Sequence, residues 1–250
     1  MAETLDDFWL ENLERNLSDK RYQRRRDIVL RYVGRLIRAD DYILNLGCGI
    51  GALSHFISQQ FTDTKPVSLD MSSNSLQVGK EYYKLNLPVK ADAIHLPFRD
   101  GTFEIVLMTE VIEHISEQEQ LLSEANRVLK DGGYLIVTTS PIKSDLLYSL
   151  AYWVKGKELF GFSKRRVAKE HVAEQHPKQL KRNLERFGFE ILSVKYWNVL
   201  HLLSIPQIMN IPGLSTFILA ADNKLGFLSR LCTDIACVAK KRAHDNVEGA

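Results

Sequence analysis

Cysteine is scarce in this chain, with three among 250 residues, and none is spaced as half of a metal-ligand pair. Cys48 sits inside a glycine turn, while Cys232 and Cys237 are five apart on opposite faces of a predicted strand. That usage argues against a disulfide-stapled secreted domain and against a cysteine-ligated zinc module, and implies a reducing compartment. Long apolar runs are also lacking, so no segment has the length of a membrane-spanning helix. The first ten residues carry Glu3, Asp6 and Asp7 and have no basic stretch leading into an apolar core. They do not read as a signal peptide, and the expectation is a cytoplasmic protein. Excess charge of one sign is missing too: 33 Lys and Arg against 31 Asp and Glu give a formal +2, too balanced to argue for a nucleic-acid partner. Neither an internal repeat nor a low-complexity segment is present.

One local imbalance stands out. Between Arg15 and Arg38 lie nine basic residues (Arg15, Lys20, Arg21, Arg24, Arg25, Arg26, Arg31, Arg35 and Arg38) against Asp19 and Asp27. The plain reading is a solvated helix face; the alternative is an anion or membrane-surface contact. Leu5 to Asn16 and Arg21 to Arg38 read as amphipathic helices, the second with Ile28, Val29, Tyr32, Val33, Leu36 and Ile37 at helical spacing. From Tyr42 short strands alternate with helices: strand 42–46, helix 52–60, strand 66–70, helix 73–84, strands 87–91 and 103–109, helix 117–130, strand 133–139. Such alternation predicts an α/β fold with a parallel sheet covered on both faces. After an irregular stretch, Pro177 to Gly188 reads as a helix with proline in its first turn and glycine past its end. Strands follow at 190–197 and 231–240.

The richest segment is Tyr42-Ile-Leu-Asn-Leu-Gly-Cys-Gly-Ile-Gly51, an apolar run that stops at Gly47, Gly49 and Gly51. Glycine there lets the backbone reverse and lets a ligand approach it closely. Nineteen residues beyond Gly51, Asp70 ends a second apolar run, placed to accept hydrogen bonds from both hydroxyls of a ribose. Gly47-x-Gly49-x-x-Ala52 also satisfies a loose dinucleotide fingerprint, so these residues alone leave the nucleoside open.

Three further blocks narrow it: Ala91-Asp-Ala-Ile-His-Leu-Pro-Phe98, Phe103 to Ile115 with Glu110-Val-Ile-Glu-His114 inside it, and Leu129-Lys-Asp-Gly-Gly-Tyr-Leu-Ile-Val-Thr-Thr-Ser-Pro141. With these four blocks in order, the chain from about Tyr42 to Lys240 resembles the class I S-adenosylmethionine-dependent methyltransferases. The resemblance implies a Rossmann-like seven-stranded sheet with helices on both faces and a reversed last strand. Residues 1–40 would form a helical cap, 41–240 the catalytic domain and 241–250 a polar tail. Insertions at 141–176 and 198–228 follow the C-termini of strands five and six, the ligand edge of such sheets, and are the expected lids. Their aliphatic and aromatic residues suit a small hydrophobic or lipid-linked acceptor, and the lysines flanking the first suit a membrane interface.

By the same resemblance, Gly47, Gly49 and Gly51 would cradle S-adenosylmethionine, Asp70 would hold its ribose, Met71 would pack on the adenine, and Asp92 with Ala93 would address the adenine edge. Asp70 as a cap for the helix near Ser72, and Asp92 as a turn cap, are the structural alternatives. In related metal-dependent members a Glu-x-x-Glu-His motif binds magnesium or a similar ion, which puts Glu110, Glu113 and His114 forward as ligands, with His171 as a further one. Such an ion would lower the pKa of a substrate hydroxyl. The motif is also widespread where no metal is known; there His114 or His171 would serve as general base. Glu110, His114 and His171 are therefore the candidate catalytic residues. The expected activity is methyl transfer to oxygen of a small hydrophobic or lipid-linked acceptor. RNA 2′-O-methylation, a non-catalytic cofactor-binding regulator and a nicotinamide-dependent dehydrogenase are the alternatives, and no RNA-binding module accompanies the first of these.

Overall fold

Ile43, Leu44 and Leu46 are all fully buried because their strand is covered on both faces, and this central strand organises the rest of the molecule. A computed structural model describes residues 20–139, 177–197 and 234–243. The helix expected over Leu5–Asn16, the first expected lid, the second (198–228), His171 and Cys232 lie outside the described residues.

Helix α1 (Lys20–Leu36) precedes β1 (Tyr42–Leu46), α2 (Ala52–Gln60), β2 (Lys65–Asp70), α3 (Ser73–Tyr83), β3 (Leu87–Lys90) and β4 (Phe103–Thr109). A 3₁₀ turn at Ile112–His114 leads to α4 (Gln118–Val128) and β5 (Leu129–Thr139). Helix α5 (Pro177–Arg186), β6 (Phe189–Trp197) and β7 (Asp234–Lys241) complete the described elements. The strands form one sheet in the order β3-β2-β1-β4-β5-β7-β6. β1 to β5 run parallel, and β7 lies antiparallel between β5 and β6. This is the Rossmann-like sheet with a reversed last strand that the family resemblance implies.

Helices α1 and α2 cover one face, where Val29, Val33 and Ile57 meet Ile43, Ile105, Leu107 and Ile136. Helices α4 and α5 cover the other, where Leu121, Leu122, Leu180 and Leu184 meet Leu44, Val106, Leu135 and Cys237. One boundary differs from expectation. Helix α4 ends at Val128 rather than residue 130, and β5 begins at Leu129. Leu129 is fully buried and pairs with Phe103, so the core takes it in extended form; the ladder then shifts register before Ile105 pairs with Tyr134.

The strand order reverses between β1 and β4. In open α/β sheets ligands bind at such a switch point, beyond the carboxyl ends of the strands. The glycine turn, Asp70 and the Glu110–His114 motif all emerge at that edge.

Candidate functional site

The turn after β1 is shaped by two constraints that act on different glycines. Gly47 has φ +66°, and a Cβ there would stand 2.5 Å from Cγ2 of Val111, so the loop after β4 presses directly against it. Gly49 has φ +55°, and a Cβ there would meet nothing within 4 Å. Its backbone thus borders open space, as a ligand cradle requires. The Gly49 amide donates to Oδ2 of Asp70 at 2.7 Å, and the Ser72 amide donates to Oδ1 at 2.9 Å. Asp70 therefore ties the glycine turn to the start of α3, whose cap is the Ser72 hydroxyl accepting from Ser75. An ionised carboxylate can accept at both oxygens, so the same group can hold a turn and face a ligand. Met71, next along, is 69 % exposed, a large apolar side chain left in solvent at the mouth of the crevice. The following loop joins at Ala91, whose amide donates to the Asp70 carbonyl. Asp92 is exposed and caps its own turn through the Ile94 amide at 3.1 Å, a bond that uses one oxygen and leaves the rest accessible. The Cys48 thiol is pushed far above its usual range by burial and by Asp70, so its thiolate is not available for chemistry.

Across the crevice, Glu110 adopts φ +57°, a left-handed conformation that costs a residue with a Cβ about 1 kcal/mol or more. Its amide donates to the Thr138 carbonyl at 2.9 Å. Its carboxylate lies 3.2 Å from a terminal guanidinium nitrogen of Arg25, which also approaches Asp234 at 3.6 Å. Arg25 thus bridges the end of β4 and the start of β7 over the end of β5. Glu113 is 1 % exposed, and among the described residues no donor completes a hydrogen bond to either carboxyl oxygen. Burial, and then the Glu110 carboxylate, push its pKa up to about 8; its own backbone amide, the nearby Thr139 hydroxyl and Arg25 offset only part of this. His114 closes the 3₁₀ turn, its amide donating to the Val111 carbonyl.

Residues 44–137 match the family model described as a methyltransferase domain. The chain is 32 % identical over 182 residues to a ubiquinone/menaquinone biosynthesis C-methyltransferase, UbiE, of Haemophilus ducreyi, covering 65 % of this chain and 69 % of that one. It belongs to the class I S-adenosylmethionine-dependent methyltransferases. A second relative, the 27-O-demethylrifamycin SV methyltransferase of Amycolatopsis mediterranei, is 28 % identical over 145 residues, 54 % of this chain and 53 % of that one. Among solved structures, a chain from the Haloferax volcanii complex between the Trm112 methyltransferase activator and a methyltransferase superposes with a TM-score of 0.68. It covers 97 % of this chain and 100 % of that one at 16 % identity, a likeness of fold.

For this methyltransferase the crevice fits its cosubstrate: an open cradle at Gly49, the Asp70 carboxylate bonded to it and an exposed apolar side chain beside it. A divalent metal fits less well. Among the described residues no group of three His, Cys, Asp or Glu side chains is arranged to hold one. Glu110, Glu113 and His114, expected as ligands, do not converge as a set, because Glu110 is engaged by Arg25 and burial favours the neutral form of Glu113. His171 lies outside the described residues. The structure also corrects the reading of the basic arm as one solvated face, since Arg25 is 21 % exposed and points to the sheet. The sequence reading passed over Asp234 and two groups on α1. Arg25 is one; the other is Tyr22, whose buried hydroxyl has no partner among the described residues and whose pKa burial raises to about 12.

Two expected results follow from this geometry. Gly49→Ala should cost only the left-handed strain, about 1 kcal/mol, yet lower the affinity for S-adenosylhomocysteine about tenfold or more, because the new methyl enters the open cradle. Calorimetric titration beside a thermal melt checks it; unchanged affinity would remove Gly49 from the cradle. Glu113 should make stability depend on pH. Its carboxyl binds a proton more tightly folded than unfolded, so its contribution is complete below pH 4.5 and is lost as pH rises to about 8. Glu113→Gln cannot ionise. It should therefore lose less stability than the wild type from pH 5 to 8, by a few kcal/mol, in chemical denaturation curves.

Proposed function

We propose that this methyltransferase transfers a methyl group to a small hydrophobic or lipid-linked acceptor through an acidic hydroxyl of that acceptor. Gly47, Gly49 and Gly51 form the cradle for the cosubstrate. Asp70 accepts from its ribose hydroxyls, Met71 packs on the adenine, and Asp92 with Ala93 read the adenine edge. When bound, S-adenosylmethionine supplies a methyl carbon already activated by sulfonium charge, so the protein's main task is alignment.

The observation that carries the acceptor reading is the polar cluster at the end of β4, where Glu110, Arg25 and Asp234 meet the buried Glu113. Carboxylates flanking one guanidinium provide acceptors for a hydroxyl proton without a metal. Glu113, protonated around neutrality, can hold or release a proton near pH 8. An ionised phenol or enol is nucleophilic at oxygen and at the carbon next to the oxygen-bearing one. This single site chemistry accommodates both the O-methyl outcome expected here and the C-methyl outcome named for the Haemophilus relative.

The test uses S-adenosylmethionine labelled in its methyl group, incubated with purified protein and either a lipid and quinol extract or an aqueous metabolite extract. Label is expected in the organic phase, on a hydroxyl-bearing compound. Label confined to RNA or to water-soluble amines would overturn the reading.

A further inference from the structure

Arg24, Arg31 and Arg35 are spaced by seven and four residues on α1, which lines them along one stripe of the helix. That stripe flanks β6, the edge strand of the sheet. The Tyr32 hydroxyl and Ser193 Oγ lie 3.1 Å apart, and Ile28 packs with Trp197. Lys195 stands between Ser193 and Trp197 on the same side of β6, because successive side chains alternate. It lies within electrostatic reach of Arg31, Arg24 and Arg35. Arg31 and Arg35 are exposed, while Arg24 and Lys195 are half-buried. Burial, and then the three guanidinium groups, push the Lys195 ammonium below its usual range. Helix α1 is fixed to the sheet by Ile28, Val29 and Val33 rather than by the exposed Arg31 and Arg35.

We propose that this four-residue cationic surface, built from α1 and the edge strand β6, docks the protein onto an anionic phospholipid bilayer. Charge complementarity favours the polyanion. The surroundings favour a bilayer over RNA: among the described residues the aromatic side chain at the stripe is Tyr32, which is half-buried and engaged with Ser193 rather than open for a base to stack on. Leu192, at the β6 bulge beside Ser193, is 47 % exposed and offers an apolar contact to the bilayer interface. The surface lies at the β6 edge, away from the β1/β4 crevice, so docking and cosubstrate binding are separable.

The experiment is co-sedimentation of the full chain with vesicles of phosphatidylcholine alone or mixed with equimolar phosphatidylglycerol, at low and high salt. The wild type should bind the anionic vesicles, and added salt should weaken that binding. Each basic residue near an anionic surface contributes about fivefold to partitioning, so Arg31→Gln, Arg35→Gln and Lys195→Gln together should reduce it about a hundredfold. Lys195→Gln alone should reduce it about fivefold, and it guards against a triple variant that folds poorly. Affinity for S-adenosylhomocysteine should stay unchanged in both variants. The proposal is overturned if the wild type ignores anionic vesicles, if the variants bind them as well as the wild type, or if single-stranded RNA competes the protein off the vesicles through these same residues.

Discussion

Asp70→Ala should lower the affinity for S-adenosylhomocysteine by a hundredfold or more while leaving the protein folded. The two halves of that expectation come from different partners. Within the protein, the carboxylate accepts from the Gly49 and Ser72 amides at 2.7 and 2.9 Å. Both amides lie at a partly solvated edge, so water replaces the lost acceptor and the stability cost should be about 1–3 kcal/mol. Toward the ligand, the same carboxylate is proposed to accept from the ribose hydroxyls. Hydrogen bonds to a charged group contribute about 1.5–3 kcal/mol each, and two of them set the hundredfold figure. Loss of the Gly49 tether adds to it by letting the cradle relax. Asp70→Asn is not a benign control, since its amide nitrogen would oppose either the Gly49 or the Ser72 amide. Calorimetry with S-adenosylhomocysteine decides the matter: an affinity within threefold of the wild type would remove Asp70 from the ligand and leave it a loop tether.

The fold was legible because each strand carries its own stop. Ile43 to Leu46 end at Gly47, Val67 to Leu69 end at Asp70, and Ile105 to Met108 end before a polar motif, so strand edges coincide with changes of chemistry. The boundary between α4 and β5 was not legible. Leu129 to Gly133 contains no proline, and only burial of Leu129 against Phe103 makes the chain extended there. In the site, the Gly49 to Asp70 contact follows from two adjacent parallel strands ending at the same edge, which periodicity foretells. Arg25 was hidden by its company, since nine basic residues invite one reading for all of them. A signal was nevertheless present. Tyr22, Arg25, Val29, Tyr32, Val33 and Leu36 fall at i, i+3, i+7, i+10, i+11 and i+14, which puts Tyr22 and Arg25 on the sheet-facing side. Lys195 could not have been joined to Arg31 and Arg35 from the sequence, because that proximity exists only once β6 occupies the sheet edge beside α1.

Arg25→Met should destabilise the protein by about 2–3 kcal/mol at neutral pH, and by more as the pH rises. Removing one partner of a buried ion pair typically costs about 3–5 kcal/mol, because the other charge is left uncompensated; the 21 % exposure of Arg25 reduces that figure through solvent screening. What remains is Glu110, the buried Asp234 and the buried Glu113 at one strand edge. Without the guanidinium the pKa of Glu113 should rise further, since Arg25 now holds it down. The sign follows directly: the folded state binds that proton still more tightly, so acid relieves the defect and alkali deepens it. Arg25→Lys keeps the charge but loses the fork that spans Glu110 and Asp234, and should restore part of the stability. Combining Arg25→Met with Glu110→Gln and Asp234→Asn should restore most of it, because a buried ionic cluster replaced as a whole costs far less than one left half-intact. Glu110 is held left-handed by the Thr138 carbonyl and by this pair, so the single variant should also bind S-adenosylhomocysteine about tenfold more weakly. Denaturation curves from pH 5 to 9 are the measurement. A variant as stable as the wild type across that range would mean that Arg25 lies against the two carboxylates without supporting them.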